Sequence, residues 1–383
     1  MKILILPSWY SRVNNSNLGI FFKEQALSLR KLNINVALLY AELLGLHLIV
    51  KFSNYCLFKI EQEDSNLPTW RLKGISFIPA RYRLGRLFWV YSTLFLFKKY
   101  IKSNGLPDLI HAHSYWAGLV AMKIKKIYNI PYILTEHSSI FLNMKEVEKV
   151  KGIIQKSFLC ANYITTVSSS HAKLIQDRIN INPKIIIIPN FVDTEYFKPN
   201  RSGNIGNSNL VTIGNLSNLK NHIELLKILN DIKNDNPSLT FKLKIIGEGE
   251  EREKLTKFIY DNNLVEEVIL LGSQSRDSIK KILNNSDLYL HSSKYESFGV
   301  SMLEAFSMGL PIFSYNCGGI HSDFCSKNIL VFNDFYQFGN KLKDFLYGKF
   351  FFNSQEIRDE AISKFSEKEI GNKLLSLYEN VKN

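Results

Sequence analysis

Leu-Tyr-Leu-His-Ser-Ser-Lys-Tyr-Glu-Ser-Phe-Gly-Val-Ser-Met-Leu-Glu-Ala-Phe-Ser-Met-Gly-Leu-Pro-Ile-Phe-Ser-Tyr, residues 288–315, reads as strand, loop, helix and strand in one pass. The apolar run Leu288–His291 is strand-like, and Ser292–Phe298 is too polar to continue it. A helix begins near Gly299 and closes at Gly309-Leu310-Pro311, a glycine-then-proline stop. Ile312–Tyr315 resumes the strand pattern. Unpaired amides at such a helix start favour an anion, and a small residue at position 299 permits close approach. Glu296 precedes the helix and Glu304 lies in its early turns, so both carboxylates can reach one bound molecule. Each carboxylate accepts two hydroxyl hydrogen bonds, which suits the diols of a sugar or a ribose.

The same grammar extends along the whole chain. Runs at Lys2–Leu6, Asn35–Tyr40, Leu109–Ala112, Tyr132–Thr135, Tyr163–Val167 and Ile185–Ile188 are each followed by a helix-length amphipathic stretch. Leu210–Ile213, Lys242–Ile246, Val268–Leu271, Leu288–His291, Ile312–Tyr315 and Ile329–Phe332 repeat the pattern. Strands rich in Ile, Leu and Val and separated by helices indicate parallel sheets covered on both faces. A dozen strands exceed an ordinary sheet, so two doubly wound α/β domains are expected. Pro189–Asp193 and Lys198–Asn204, rich in Pro, Asn, Gly and Ser, are expected to form an exposed connection between them. Ligands of such sheets bind beyond the carboxyl ends of the strands, here in a cleft between the domains.

Composition narrows the classes. The 383 residues are 45% hydrophobic and 22% charged, which rules out disorder as the main state. No stretch approaches the roughly 20 apolar residues of a membrane span, and Ile3–Leu6 is too short for a signal-peptide core. A soluble, unexported protein is expected. Cys56, Cys160, Cys317 and Cys325 are scattered without a C-x-x-C pair, as befits idle thiols rather than a disulfide framework or zinc site. The net charge of +13 is one-sided. Residues 1–190 carry 25 Lys and Arg against 10 Asp and Glu, a net of +15, and residues 191–383 carry 23 against 25, a net of −2. One half therefore invites an anionic partner.

The string E-S-F-G-V-S-M-L-E-A-F-S-M-G-L-P resembles the retaining nucleotide-sugar glycosyltransferases built from two Rossmann-like domains facing a central cleft (the GT-B type), glycosyl transferases group 1 or glycosyltransferase family 4. The resemblance implies an acceptor-binding domain over 1–190 and a donor-binding domain over 191–365. A C-terminal helix at about 366–383 is a candidate to pack back on the first. It implies that Glu296 and the amides of Ser297, Phe298 and Gly299 hold the donor sugar and that Glu304 holds the ribose. Ile213–Asn221 resembles the family's first donor-domain loop, where Lys220 matches the lysine that clamps the diphosphate. Asn215 stands where the family has an arginine, and a neutral amide does not replace a bidentate cation. Arg12 and Lys294 are the substitutes, with nothing to choose between them. Gly247-Glu248-Gly249 resembles the loop beside the nucleotide base, and Gly318-Gly319 reads as a turn. In the first half, His137 matches the histidine facing the donor sugar near the reacting carbon, while His111 and His113 shape the cleft wall. Gly19 matches the glycine where backbone approaches the phosphates and the acceptor, although this chain has one glycine where members often have a pair.

No Asp-x-Asp occurs, so transfer without a metal ion or other cofactor is expected, with the diphosphate held by Lys220 and helix amides. The expected partners are a nucleotide diphosphate sugar and a glycan or lipid-linked acceptor, and no nucleic acid. Arg81–Tyr100, basic at both ends and aromatic between, reads either as an amphipathic helix on an anionic membrane surface or as a core helix with snorkelling ends. Abundant Lys, Asn and Ile suggest an AT-rich bacterial genome, which with the resemblance makes cell-surface polysaccharide or lipopolysaccharide synthesis the expected setting, in the cytoplasm and peripherally on the inner face of the cell membrane. Two other readings stay open, a nucleotide-sugar-binding partner subunit and another nucleotide-sugar enzyme such as an epimerase. A dehydrogenase would need G-x-G-x-x-G after the first strand, where Pro-Ser-Trp-Tyr-Ser-Arg stands instead.

Overall fold

A computed structural model of the chain describes residues 1–11, 19–45, 59–63, 66–78, 83–181, 183–200, 206 and 208–382. It is an α/β protein of two compact units. The first comprises Met1–Val167, His171–Ile188 and Ile370–Asn383, and the second Ser168–Ser170 and Pro189–Glu369.

The first unit holds an eight-stranded sheet. Its strands are β1 (Lys2–Pro7), β2 (Asn35–Gly45), β3 (Ile60–Glu63), β4 (Thr69–Ser76), β5 (Leu109–His113), β6 (Tyr132–Glu136), β7 (Tyr163–Thr166) and β8 (Ile185–Ile187), in the order β3-β4-β2-β1-β5-β6-β7-β8. Every pairing is parallel except β3 with β4. The central strands are buried end to end, which explains their unbroken apolar runs. The structure corrects the expectation in two places. β2 runs on past Tyr40 to Gly45, and it pairs with β4, a strand not anticipated from the sequence. Thr69-Trp70-Arg71-Leu72-Lys73-Gly74 lacks the apolar continuity of a central strand, yet Arg71 is buried and lies 3.0 Å from the buried Glu42 on β2. Arg71 also donates to the Ser11 carbonyl (2.7 Å) and faces the Tyr10 ring. A buried ion pair with these additional partners lets a polar strand occupy an interior position.

The second unit holds six parallel strands, β9 (Asn209–Ile213), β10 (Lys242–Ile246), β11 (Val268–Gly272), β12 (Leu288–His291), β13 (Ile312–Tyr315) and β14 (Ile329–Phe332), ordered β11-β10-β9-β12-β13-β14. The order reverses between β9 and β12, and the loops after these two strands hold the candidate site residues described below. A core of Leu225, Leu229, Leu243, Ile245, Leu288 and Phe313, with aromatic rings from the helix Phe335–Leu346, fills one face.

The Pro189–Asp193 connection is not exposed as expected. Phe191, Val192 and Phe197 are buried, and the Val192 N–H donates to the Phe365 carbonyl. The buried Arg358 donates to the carbonyls of Thr194, Phe197 and Ser307 at 2.8–2.9 Å. Its cation thus sits at the carbonyl end of the helix Val300–Ser307, where the helix dipole favours it. Residues 201–205 lie outside the described residues, as do Arg12, Cys56, Arg81 and Tyr82. The other three cysteines carry free thiols.

Candidate active site

In the second unit, two βα loops meet at the strand ends. The loop after β12 is pinned to the loop after β9. Ser292 Oγ donates to the Lys220 carbonyl (3.0 Å), the Lys294 N–H to the Leu219 carbonyl (2.9 Å), and Lys294 Nζ to Asn218 Oδ1 (2.7 Å). This clipping brings together two residues 76 positions apart, and the ammonium of Lys220 donates to Glu296 Oε1. Ser293 Oγ donates to the same oxygen (3.1 Å), and Nε2 of the buried His291 lies 3.2 Å from it. Burial alone would raise the Glu296 carboxyl, but His291 and Lys220 outweigh it and hold the pKa down at about 2. Glu296 is therefore ionised at neutral pH. It is also fixed from behind, since its own N–H donates to the Cys317 carbonyl (2.8 Å).

Ser297, Phe298 and Gly299 follow in a tight lead-in to the helix. Among the described residues, no backbone acceptor takes the N–H of any of the three. Gly299 caps the helix with φ +93°, in the left-handed region, and a Cβ there would lie 2.2 Å from the Met302 methyl. The Phe298 side chain is buried against Phe365, so only the backbone of this residue is left to take part in binding. Gly318 and Gly319 belong to the same lead-in as packing partners, because a Cβ on Gly319 would lie 2.5 Å from the Phe298 carbonyl. Glu304 stands one turn after Ser301, whose hydroxyl lies 2.8 Å from the Tyr289 phenol at the β9 carbonyl end. Its charge also helps raise the Tyr196 phenol to about 12, after burial and the hydrogen bond to Asp277.

The glycines after β10 have a packing reason of their own. A Cβ on Gly247 would lie 2.0 Å from the Gly214 carbonyl, and one on Gly249 would lie 2.3 Å from the Leu216 carbonyl. They allow two neighbouring loops to touch backbone to backbone. Glu248 is exposed and pairs with Arg252 at 2.8 Å. Asn215 is exposed, and Lys294 is exposed and held on Asn218. Sequence reasoning missed His222 and His291. Both are buried, and burial, ahead of the His291 charge, pushes the His222 pKa down to about 4. Lone histidines at a strand end and a helix start carry no motif, so only the fold brings them beside Lys220 and Glu296.

The first unit has its own polar centre at the ends of β5 and β6. His113 Nδ1 and His137 Nε2 share a hydrogen bond of 3.0 Å, and the His111 and His113 rings lie 4.2 Å apart. His111 is held by Thr135 Oγ1 (2.6 Å) and by the phenol of Tyr378 (2.7 Å), a residue of the C-terminal helix Glu367–Lys382. Burial pushes His111 and His137 down to about 3, and His113 down as well. These imidazoles are neutral at pH 7. Beneath them, the buried Glu136 accepts from Ser114 Oγ and from the N–H groups of Tyr115, His137 and Ser138 at 2.8–3.0 Å. It fixes the turn that carries His137. Gly19 caps the helix Ile20–Lys31 in the left-handed conformation, φ +68°, beside Trp9 and Phe22.

Two units, each built on a parallel or mostly parallel sheet, are the GT-B architecture. The profile described as glycosyl transferases group 1 matches residues 198–355, and that of glycosyltransferase family 4 matches residues 26–196. The chain belongs to these group 1, family 4 glycosyltransferases. An uncharacterized glycosyltransferase of Methanocaldococcus jannaschii is 27% identical over 253 residues, 65% of this chain and 64% of that protein, just under two thirds of its length. The UDP-Gal:alpha-D-GlcNAc-diphosphoundecaprenol alpha-1,3-galactosyltransferase of Escherichia coli is 28% identical over 293 residues, 72% of each chain. Among solved structures, sucrose-phosphate synthase from Thermosynechococcus elongatus superposes with a TM-score of 0.75 over 100% of this chain and 99% of that one, at 15% identity. That likeness concerns the fold.

Proposed function

We propose that this glycosyltransferase moves a sugar from a nucleotide diphosphate sugar to a glycan or lipid-linked acceptor, with retention of anomeric configuration and without a metal ion on the diphosphate. The setting proposed is bacterial cell-surface polysaccharide or lipopolysaccharide synthesis at the inner face of the cell membrane. The observation that carries the reading is the Lys220–Glu296 pair beside the unpaired amides of Ser297–Gly299. An ionised, anchored carboxylate is suited to accept sugar hydroxyls, and the adjacent ammonium and amides to meet a phosphate. As the glycosidic bond breaks, negative charge grows on the leaving diphosphate, and donors already in place stabilise it with little reorganisation. Glu304 is assigned the ribose, and the neutral His137 the face of the reacting sugar. A neutral imidazole there can donate or accept a hydrogen bond without adding charge. The lipid-linked acceptor draws support from the Escherichia coli relative, whose name specifies a diphosphoundecaprenol acceptor.

Product formation from a panel of nucleotide sugars, assayed with and without EDTA, tests this reading. Turnover of at least one donor that persists in EDTA is expected. Loss in EDTA with rescue by manganese contradicts the metal-free assignment, and donor binding without turnover favours a partner subunit. Glu304→Ala is expected to weaken binding of the free nucleotide, and unchanged affinity removes the ribose assignment.

A further inference from the structure

The helix Arg83–Asn104 was expected either to lie on a membrane or to sit in the core, and the structure shows features of both. Trp89, Val90, Thr93, Leu96, Phe97 and Tyr100 are buried, and Trp89 Nε1 donates to the Ala41 carbonyl (2.9 Å). The opposite side is also apolar, with Leu84, Phe88, Tyr91 and Phe95 exposed by 43–66%. A helix with apolar residues on two opposite sides, one of them covered by its own unit, leaves an apolar face toward solvent. Between this helix and Tyr115–Tyr128 runs a groove of about 460 Å³, lined by the apolar Leu94, Phe95 and Ile127 and by Lys98, Lys123 and Lys126.

The charge around the groove is all of one sign. The two helices together carry eight Lys and Arg and no Asp or Glu. Among the described residues, no carboxylate pairs with Lys98, Lys123 or Lys126, whereas the unit pairs other lysines, such as Lys73 with Glu61. An apolar trough bordered by ammonium groups that meet no carboxylate among the described residues, Lys123 resting 5.2 Å over the Tyr91 ring, is complementary to a molecule with an apolar chain and an anionic head.

We infer that this groove is a docking site for an anionic phospholipid of the bilayer surface, with one acyl chain against Phe95 and Ile127 and its phosphate on Lys98, Lys123 and Lys126. The inference deepens the membrane setting proposed above and rests on it. A lipid so held would fix the orientation of the first unit at the surface, beyond what diffuse charge attraction achieves.

The test places a reporter at the groove with Tyr91→Trp, read as a difference from the wild-type protein and its four native tryptophans. Vesicles of phosphatidylglycerol with phosphatidylcholine are compared with phosphatidylcholine alone, using chains brominated near the headgroup. Binding at least tenfold tighter to the anionic vesicles, with a blue shift and bromine quenching of the reporter, is expected. Combined Lys98→Glu, Lys123→Glu and Lys126→Glu should weaken it at least tenfold without lowering the melting temperature. Anionic binding with no blue shift or quenching overturns the groove and leaves the membrane setting standing. Absence of binding to anionic vesicles overturns both. Sedimentation as a dimer that Ile127→Asp converts to monomer also overturns the inference, because a second copy then covers the face.

Discussion

The two polar centres of this chain solve the problem of burial in opposite ways. At the ends of β5 and β6, His111, His113 and His137 are stacked and hydrogen-bonded as neutral rings, and burial has stripped them of charge. At the ends of β9 and β12, Glu296 keeps its charge in a comparably enclosed place because Lys220 and His291 stand against it. Desolvation acts on both, and only the second has an opposite charge close enough to win. The difference fits the role proposed for each. A centre near a reacting sugar carbon benefits from polar groups without net charge, and one that meets a diphosphate needs a cation ready beside it.

Acid should separate the two units most. Four histidines of the first unit (His111, His113, His137 and His171) have pKa values lowered below 6.5 by burial, against His222 in the second among the described residues. A group whose folded pKa is depressed supports the fold above its unfolded pKa and loses that support as pH falls toward the folded value. Each such histidine weakens the fold by about 1.4 kcal/mol per pH unit across that window. Glu296 acts in the same direction, between about 4.5 and about 2. Hydrogen exchange read by mass spectrometry should therefore show β5 and β6 losing protection from about pH 6 downward, before β9 and β12. Simultaneous loss in both units would break the contrast.

Glycine substitutions should follow it. Gly247→Ala places a Cβ against the Gly214 carbonyl at φ +145°, and a loss of about 2–3 kcal/mol is expected, seen as a lowered melting temperature of the second unit. Gly152, inside the helix Met144–Leu159, has nothing within 4 Å of a built Cβ. Gly152→Ala should stabilise the first unit by about 0.5–1 kcal/mol in the same assay, and a destabilisation would show that open space is not the deciding factor. The smallest effect belongs to Arg252→Ala, which breaks an exposed pair with Glu248 and should cost no more than about 0.5 kcal/mol in urea unfolding. A larger loss would mean that exposed charges in this loop behave like Glu296.

Twelve of the fourteen described strands were legible, because a strand covered on both faces must be apolar from end to end. β3 and β4 were not, since Arg71 and Lys73 disguise a strand whose interior place depends on Glu42, 29 residues away. Glu296, Lys220 and Gly299 were legible from their motif, but their contact was not, because it forms across 76 residues of chain. The hydrogen bond from His111 to Tyr378 spans 267 residues and leaves no local trace. The glycines after β10 mark a real constraint, and the close approach to the neighbouring loop that they permit leaves no local signature in the sequence.

The Lys220–Glu296 centre is proposed to handle the leaving diphosphate. Steady-state turnover of the best donor by wild type and Lys220→Ala, with circular dichroism to confirm folding, tests it most directly. A loss in kcat/KM corresponding to about 2–4 kcal/mol of transition-state stabilisation is expected. Activity within twofold of wild type would contradict it.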